Sequence, residues 1–129
     1  MENFKIGKEF SSKVIVNKDN VASSPYMGSG DIDVFATPAM VALMENAAML
    51  CVADDLPDGY STVGININTT HEKATPIGNI VTATAILTEI NGRKISFKII
   101  AFDSNGKIGE GSHQRFIIDK KKFIAKLTV

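Results

Sequence analysis

The 129-residue chain reads as an α+β protein in which one long helix lies against an antiparallel sheet. Three observations predict this. The segment Thr37 to Asp54 is apolar at nearly every position. Beyond Gly59 the apolar period changes from helical to alternating. Asn91-Gly92 and Ser104-Asn105-Gly106 then separate successive alternating runs at hairpin spacing. A helix that is apolar all round needs more than one flat sheet face to cover it. Either a strongly curved sheet wraps it, or a second subunit completes its burial.

Along the chain, Phe4 to Asn17 reads as one or two strands broken near Gly7. Val21 to Asp33 contains Ser23-Ser24-Pro25 and Gly28-Ser29-Gly30, the composition of a flexible loop, and a loop of that length often serves as a lid. Thr37 is expected to be the N-cap of the helix, with Pro38 at its first position. Leu56-Pro57-Asp58-Gly59 makes a turn. The following strand, Thr62 to His71, is expected to place Val63, Ile65, Ile67, Thr69 and His71 on one face. Ile80 to Ile90 aligns Val81, Ala83, Ala85 and Leu87, and Arg93 to Asp103 aligns Ile95, Phe97, Ile99 and Ala101. Lys107 to Asp119 is a further strand, and Phe123 to Leu127 reads as a short last one. The four or more strands after the helix are expected to form an antiparallel meander within a single domain spanning 1–129.

Composition excludes several functions. The formal net charge is zero and no basic block can track a phosphate backbone, so nucleic acid is not an expected partner. Lys120-Lys121-Lys122 is a solvated chain end on the simplest reading, or an aid in holding a small polyphosphate. Cys51 is the single cysteine, so neither an intramolecular disulfide nor a cysteine-based metal site can form. With two histidines besides, no metal site is expected. The N-terminus lacks a signal-peptide stretch and the helix is too short and interrupted to span a bilayer, which predicts a soluble, cytoplasmic protein without membrane association. Asn68-Thr69-Thr70 is then an accidental glycosylation match. No Walker sequence, dinucleotide fingerprint or nucleophile elbow is present.

Glu45 demands an explanation. Its three- and four-residue neighbours on the helix, Val41, Ala42, Ala48 and Met49, cannot pair with a charge. It is either exposed at a gap, paired with a distant lysine, or kept as a reactive carboxylate. A meeting with His71 would resolve two oddities at once, although a strand-end histidine also occurs as an ordinary hydrogen-bonded residue. Thr37 is sufficiently explained as a cap, but a hydroxyl at a helix N-terminus also suits acyl transfer. Eight residues separate Thr37 from Glu45, about 12 Å along one straight helix, so direct contact is not expected: they act through substrate or water, or across an interface, or the helix begins after Thr37. Arg115 shares a strand face with Gly109, Gly111 and His113. The glycines leave room for something to approach the backbone, and Arg115 is either a cross-strand ion pair or a clamp for an anionic or carbonyl oxygen. Arg93 looks like ordinary surface.

Taken together, Val34-Phe35-Ala36-Thr37, Met40-Val41, Leu43-Met44-Glu45, Gly64, Thr70-His71, Ala74-Thr75-Pro76, and Gly109, Gly111, His113 and Arg115 resemble the fluoroacetyl-CoA thioesterase family over roughly Phe4 to Lys126. The resemblance implies the hotdog fold, a long central helix wrapped by a curved antiparallel sheet, and a homodimer. It implies Thr37, Glu45 and His71 as the catalytic set, Gly64 meeting the substrate through its backbone, and Arg115 binding it. The substrate is then a small acyl-CoA, with coenzyme A part of the substrate and no cofactor or metal. The chain departs from the family in its lid region, Met27-Gly28-Ser29-Gly30-Asp31-Ile32-Asp33, which lacks the phenylalanine tied to fluorine recognition. Hydrolysis of an acyl-CoA is therefore expected without a fluoroacetyl preference. The competing readings are a non-catalytic acyl-CoA-binding module or ligand sensor and, among enzymes, a hydratase or dehydratase.

Overall fold

The computed structural model describes residues 3–128. Five strands, β1 (Glu9–Ile15), β2 (Tyr60–Thr69), β3 (Ile80–Asn91), β4 (Lys94–Asp103) and β5 (Gly106–Asp119), form one antiparallel sheet in the order β1-β3-β4-β5-β2. Helix α1 (Thr37–Ala53) lies on its concave face and the short α2 (Lys120–Ala125) follows β5. Only β3, β4 and β5 run as a meander. β2 takes the far edge beside β5, so the expected four-strand meander is corrected to three strands plus a crossover.

Three irregularities curl the sheet: Ile65, Thr88 and Ile108 are each an extra residue in their ladders. A bulge bends its strand and raises the local twist, which is how five strands come to wrap a helix. The inward residues of β3 and β4 are the eight read from alternation, Val81 to Leu87 and Ile95 to Ala101, all buried. Full burial of each of Leu87, Ile95, Phe97 and Ile99 is worth roughly 1.5–3 kcal/mol relative to exposure. Small Ala83, Ala85 and Ala101 let α1 settle close. The helix meets them with Met40, Met44, Ala47, Ala48, Cys51 and Val52, one stripe at helical spacing. Its other side, including Ala42, Asn46 and Leu50, is open in a single chain. The sheet therefore covers the helix on one side and not all round.

Four local expectations change. Thr37 is the first helical residue and Ala36 the N-cap, which has no side-chain acceptor to cap with, and the Thr37 hydroxyl bonds to His71 instead. Asn91 pairs with Lys94, so the hairpin loop is Gly92-Arg93, with Gly92 at φ +63° supplying the positive φ at the first loop position. The expected last strand is helix α2: both edges of β5 are already paired, and Asp119 caps the Lys122 amide. The loop from Val21 to Asp33 has its own bonds, with Val21 bridging Phe35, Ala22 N donating to Val34 O and Ser23 bonded to Asp33. It is tied to the entrance of α1.

Candidate active site

The end of β2 runs close against β5 where two residues of one β5 face, Gly109 and Gly111, have no side chain. A Cβ at Gly109 or Gly111 would collide with the backbone carbonyls of Thr70 and Asn68 respectively. The room these glycines leave is thus filled by the chain itself, and no ligand approaches there. Thr70 N donates to Glu110 O at 3.0 Å as the chain passes. The crossing delivers His71 to the start of α1, where its Nδ1 lies 2.7 Å from Thr37 Oγ1. Burial holds the His71 pKa below the ordinary histidine range, with the Lys73 backbone pulling weakly the other way. Burial thus disfavours the charged ring, and a neutral imidazole can take a proton. Its Nε2 is buried without a hydrogen-bond partner among the described residues. Thr37 and His71 line a cavity of about 240 Å³ whose far wall is Ala22, Ser29 and Val34 of the loop before the helix.

Glu45 occupies a second cluster. It is half-buried on α1 and faces Gly64, where an added Cβ would lie 2.7 Å from Glu45 Oε2, 3.3 Å from His113 Cε1 and 3.5 Å from Arg115 Nη1. Gly64 is thus the gap the carboxylate uses. Arg115, 6% exposed, donates from Nε to Thr62 Oγ1 at 2.8 Å and from Nη2 to Thr62 O at 3.0 Å, while its Nη1 lies 3.2 Å from His113 Nε2. Burial lowers the Arg115 pKa and Glu45 opposes this. No ion pair joins the two within 4.0 Å among the described residues, so their attraction acts at longer range. Arg115 is therefore not a cross-strand ion pair: its strand neighbours are neutral. Arg93 is exposed, its guanidinium over the Tyr60 ring.

Two site expectations are corrected. Glu45 and His71 do not meet within one chain: Glu45 belongs with Gly64 and Arg115, His71 with Thr37. The inward face of β2 is not one continuous row either. Thr62 and Gly64 point in beside Arg115, the extra residue Ile65 shifts the register, and Ile67 then packs on the core. Val63 and Ile65 line an outer groove instead. His113, given no role from the sequence, also belongs to this cluster. Its signal was available: a histidine on the buried face of a strand needs partners for both ring nitrogens.

The fluoroacetyl-CoA-specific thioesterase profile matches residues 12–121. The fluoroacetyl-CoA thioesterase of Streptantibioticus cattleyicolor is 35% identical over 130 residues, covering 98% of this chain and 94% of that enzyme. The chain belongs to this family. A solved structure that addresses the activity and substrate specificity of a fluoroacetyl-CoA thioesterase superposes with a TM-score of 0.88 at 36% identity, over 96% of this chain and 95% of that one. A thioesterase superfamily member from Thermus thermophilus reaches a TM-score of 0.88 at 24% identity, over 97% and 91% of the two chains, which speaks for the fold alone. The fold is the hotdog fold, α+β, as expected from the family resemblance.

Proposed function

We propose that this protein is an acyl-CoA thioesterase that hydrolyses a small acyl-CoA to the free acid and coenzyme A, acting as a cytoplasmic homodimer. The observation that carries the reading is the Thr37–His71 pair at 2.7 Å, opening on a small cavity at a helix N-terminus. Membership of a thioesterase family supports it, as does a relative solved with fluoroacetate and CoA. Hydrolysis adds water across the thioester: oxygen joins the acyl carbon, the C–S bond breaks, and a proton reaches sulfur. Neutral His71 takes a proton from the attacking water, or from the Thr37 hydroxyl to give an acyl-threonine ester that water then cleaves to the free acid and the regenerated hydroxyl, and it returns the first proton to the departing thiolate. A helix N-terminus favours the negative charge that develops on the acyl oxygen. The chemistry asks for no cofactor or metal.

Glu45 is the third member of the catalytic set, with Gly64 and Arg115 on the substrate side of it. About 12 Å of helix separates Thr37 from Glu45, too far for one thioester carbon to touch both in one chain. We assign the working site to two chains, with Thr37 and His71 from one protomer and Glu45 of the partner subunit. The open stripe of α1 around Ala42, Asn46 and Leu50 and the unpaired edge of β2 are the surfaces a second copy would cover. No helix among the described residues is long and apolar enough to cross a membrane. The Met27 to Asp33 region lacks an aromatic residue, and the proposed substrate is a small acyl-CoA to which no fluoroacetyl preference is assigned.

The test is thiol release from short, branched, aromatic and long acyl-CoAs by the wild type, Thr37→Ala and His71→Ala. Turnover of a short acyl-CoA by the wild type, lost in both variants, is expected. Binding of acyl-CoA without release of thiol from any substrate would favour the ligand-sensor reading instead.

A further inference from the structure

Beneath Gly64, β5 buries a histidine that the hydrolytic steps above do not use. His113 is 1% exposed and stacks on Phe97 of β4, ring centroids 6.2 Å apart. Both ring nitrogens are engaged. Nδ1 lies 2.7 Å from the carbonyl oxygen of Asn66, which can only accept, so Nδ1 carries the proton. Nε2 lies 3.2 Å from Arg115 Nη1, which can only donate, so Nε2 offers its lone pair. The two neighbours together admit one form of the ring, the neutral Nδ1–H tautomer. An imidazolium would set an N–H against the guanidinium. The charged groups facing the ring are Arg115 on its own strand and Glu45 from α1. β2 contributes the Asn66 carbonyl, and β4 contributes Phe97.

These bonds join parts that must keep their relative places. Asn66 is the first residue past the bulge at Ile65, and Gly64, the last before it, faces Glu45. Arg115 is held on its other side by Thr62, one turn of the pleat before Gly64. His113 Cε1 lies under the spot that a Gly64 Cβ would take, next to the Glu45 carboxylate. We propose that His113 is a positioning residue for thioester hydrolysis, a neutral strut that fixes Arg115 and the β2 bulge so that Gly64 and Glu45 keep their approach. Packing alone does not require this residue, because a phenylalanine would stack on Phe97 equally well. The inference rests on the thioesterase reading.

The test compares wild type, His113→Phe and His113→Gln by steady-state thiol release, with nitrogen-15 NMR of the imidazole and guanidinium groups. The wild type is expected to give the neutral Nδ1–H tautomer and a solvent-protected Arg115 Nε–H signal at pH 7. His113→Phe is expected to lose that signal and about 10–100-fold in kcat, as for a sub-ångström misplacement of reacting groups, with KM raised as Arg115 loosens. His113→Gln, which can donate to Asn66 and accept from Arg115, is expected to recover most of both. Wild-type kcat in a folded His113→Phe overturns the proposal, as does an Nε2–H tautomer in the wild type. Should His113→Phe fail to fold, a folded His113→Gln as slow as a displaced site overturns it, and a fast one supports it. A wild type inactive on every thioester overturns the thioesterase reading while leaving tautomer and Arg115 signal intact, so the two failures are distinct.

Discussion

Gly64→Ala probes the carboxylate without touching it. The new Cβ would lie 2.7 Å from Glu45 Oε2, and ordinary van der Waals contact begins near 3.4 Å, so the carboxylate must retreat by about 0.7 Å. It is the element that yields, since the Cβ also has His113 Cε1 at 3.3 Å and Arg115 Nη1 at 3.5 Å beneath it. The backbone at Gly64 is not in the positive-φ region, so alanine adopts it without strain. Stability should therefore change by no more than about 1 kcal/mol. A misplacement of this size at a reacting group costs on the order of 10–100-fold in rate, provided Glu45 takes part in the chemistry. The assay pairs thiol-release kinetics on the preferred acyl-CoA with urea unfolding of the same preparation. Loss of kcat at unchanged unfolding midpoint is expected. An unchanged kcat in the folded variant would refute the assignment of Glu45 to the site.

Three further outcomes follow from the same geometry. Arg115→Ala strips Thr62 and His113 Nε2 of their buried partner, so it should cost about 2–4 kcal/mol in urea unfolding as well as weaken substrate binding; unchanged stability would contradict the observed bonds. Gly111→Ala sets a side chain against the backbone of Asn68, and that backbone cannot swing aside as a side chain can, so circular dichroism melts should show a large fall in Tm. Both histidines have pKa values lowered by burial, so the unfolded chain binds more protons than the folded one at acid pH. Their effect on stability is absent above the ordinary histidine pKa of about 6.5 and becomes a growing loss as pH falls from there through the folded values. The urea midpoint should drop between pH 7.5 and 5, and drop less in His71→Phe; a midpoint that rises on acidification would show the sign to be wrong.

Much of the fold is legible in the chain because its strongest signal, apolar period, is local. The inward rows of β3 and β4 are regular, and alternation alone assigns all eight of their buried residues. The buried stripe of α1 is not legible in this way, because the helix is apolar on its open side as well and only the sheet decides which side is covered. β2 was misread because a single extra residue, Ile65, reverses which side chains face inward, and no alternation pattern announces a bulge. The glycines of β5 correctly announced a close approach, but not that the approaching group is the chain's own residues 68–70. Thr37 has the chemistry of a cap, and only the arrival of His71 from 34 residues away decides that its hydroxyl works elsewhere. The α2 segment alternates weakly, and its helix depends on the absence of a free edge on β5 together with the Asp119 cap. Partners distant in sequence therefore decided the site, where periodicity decided the frame.

The central claim, a thioesterase site assembled from two chains, is tested most directly by mixed dimers. Thr37→Ala and Glu45→Gln protomers carrying different tags are co-expressed, the mixed species is purified through both tags, and thiol release is measured. Each pure variant should be inactive. In a site built from Thr37 and His71 of one protomer and Glu45 of the partner subunit, the mixed dimer retains one complete site and is expected to show about half the wild-type rate, which is the gain of many orders expected when a whole catalytic set is restored. A mixed dimer as inactive as its parents would contradict the account.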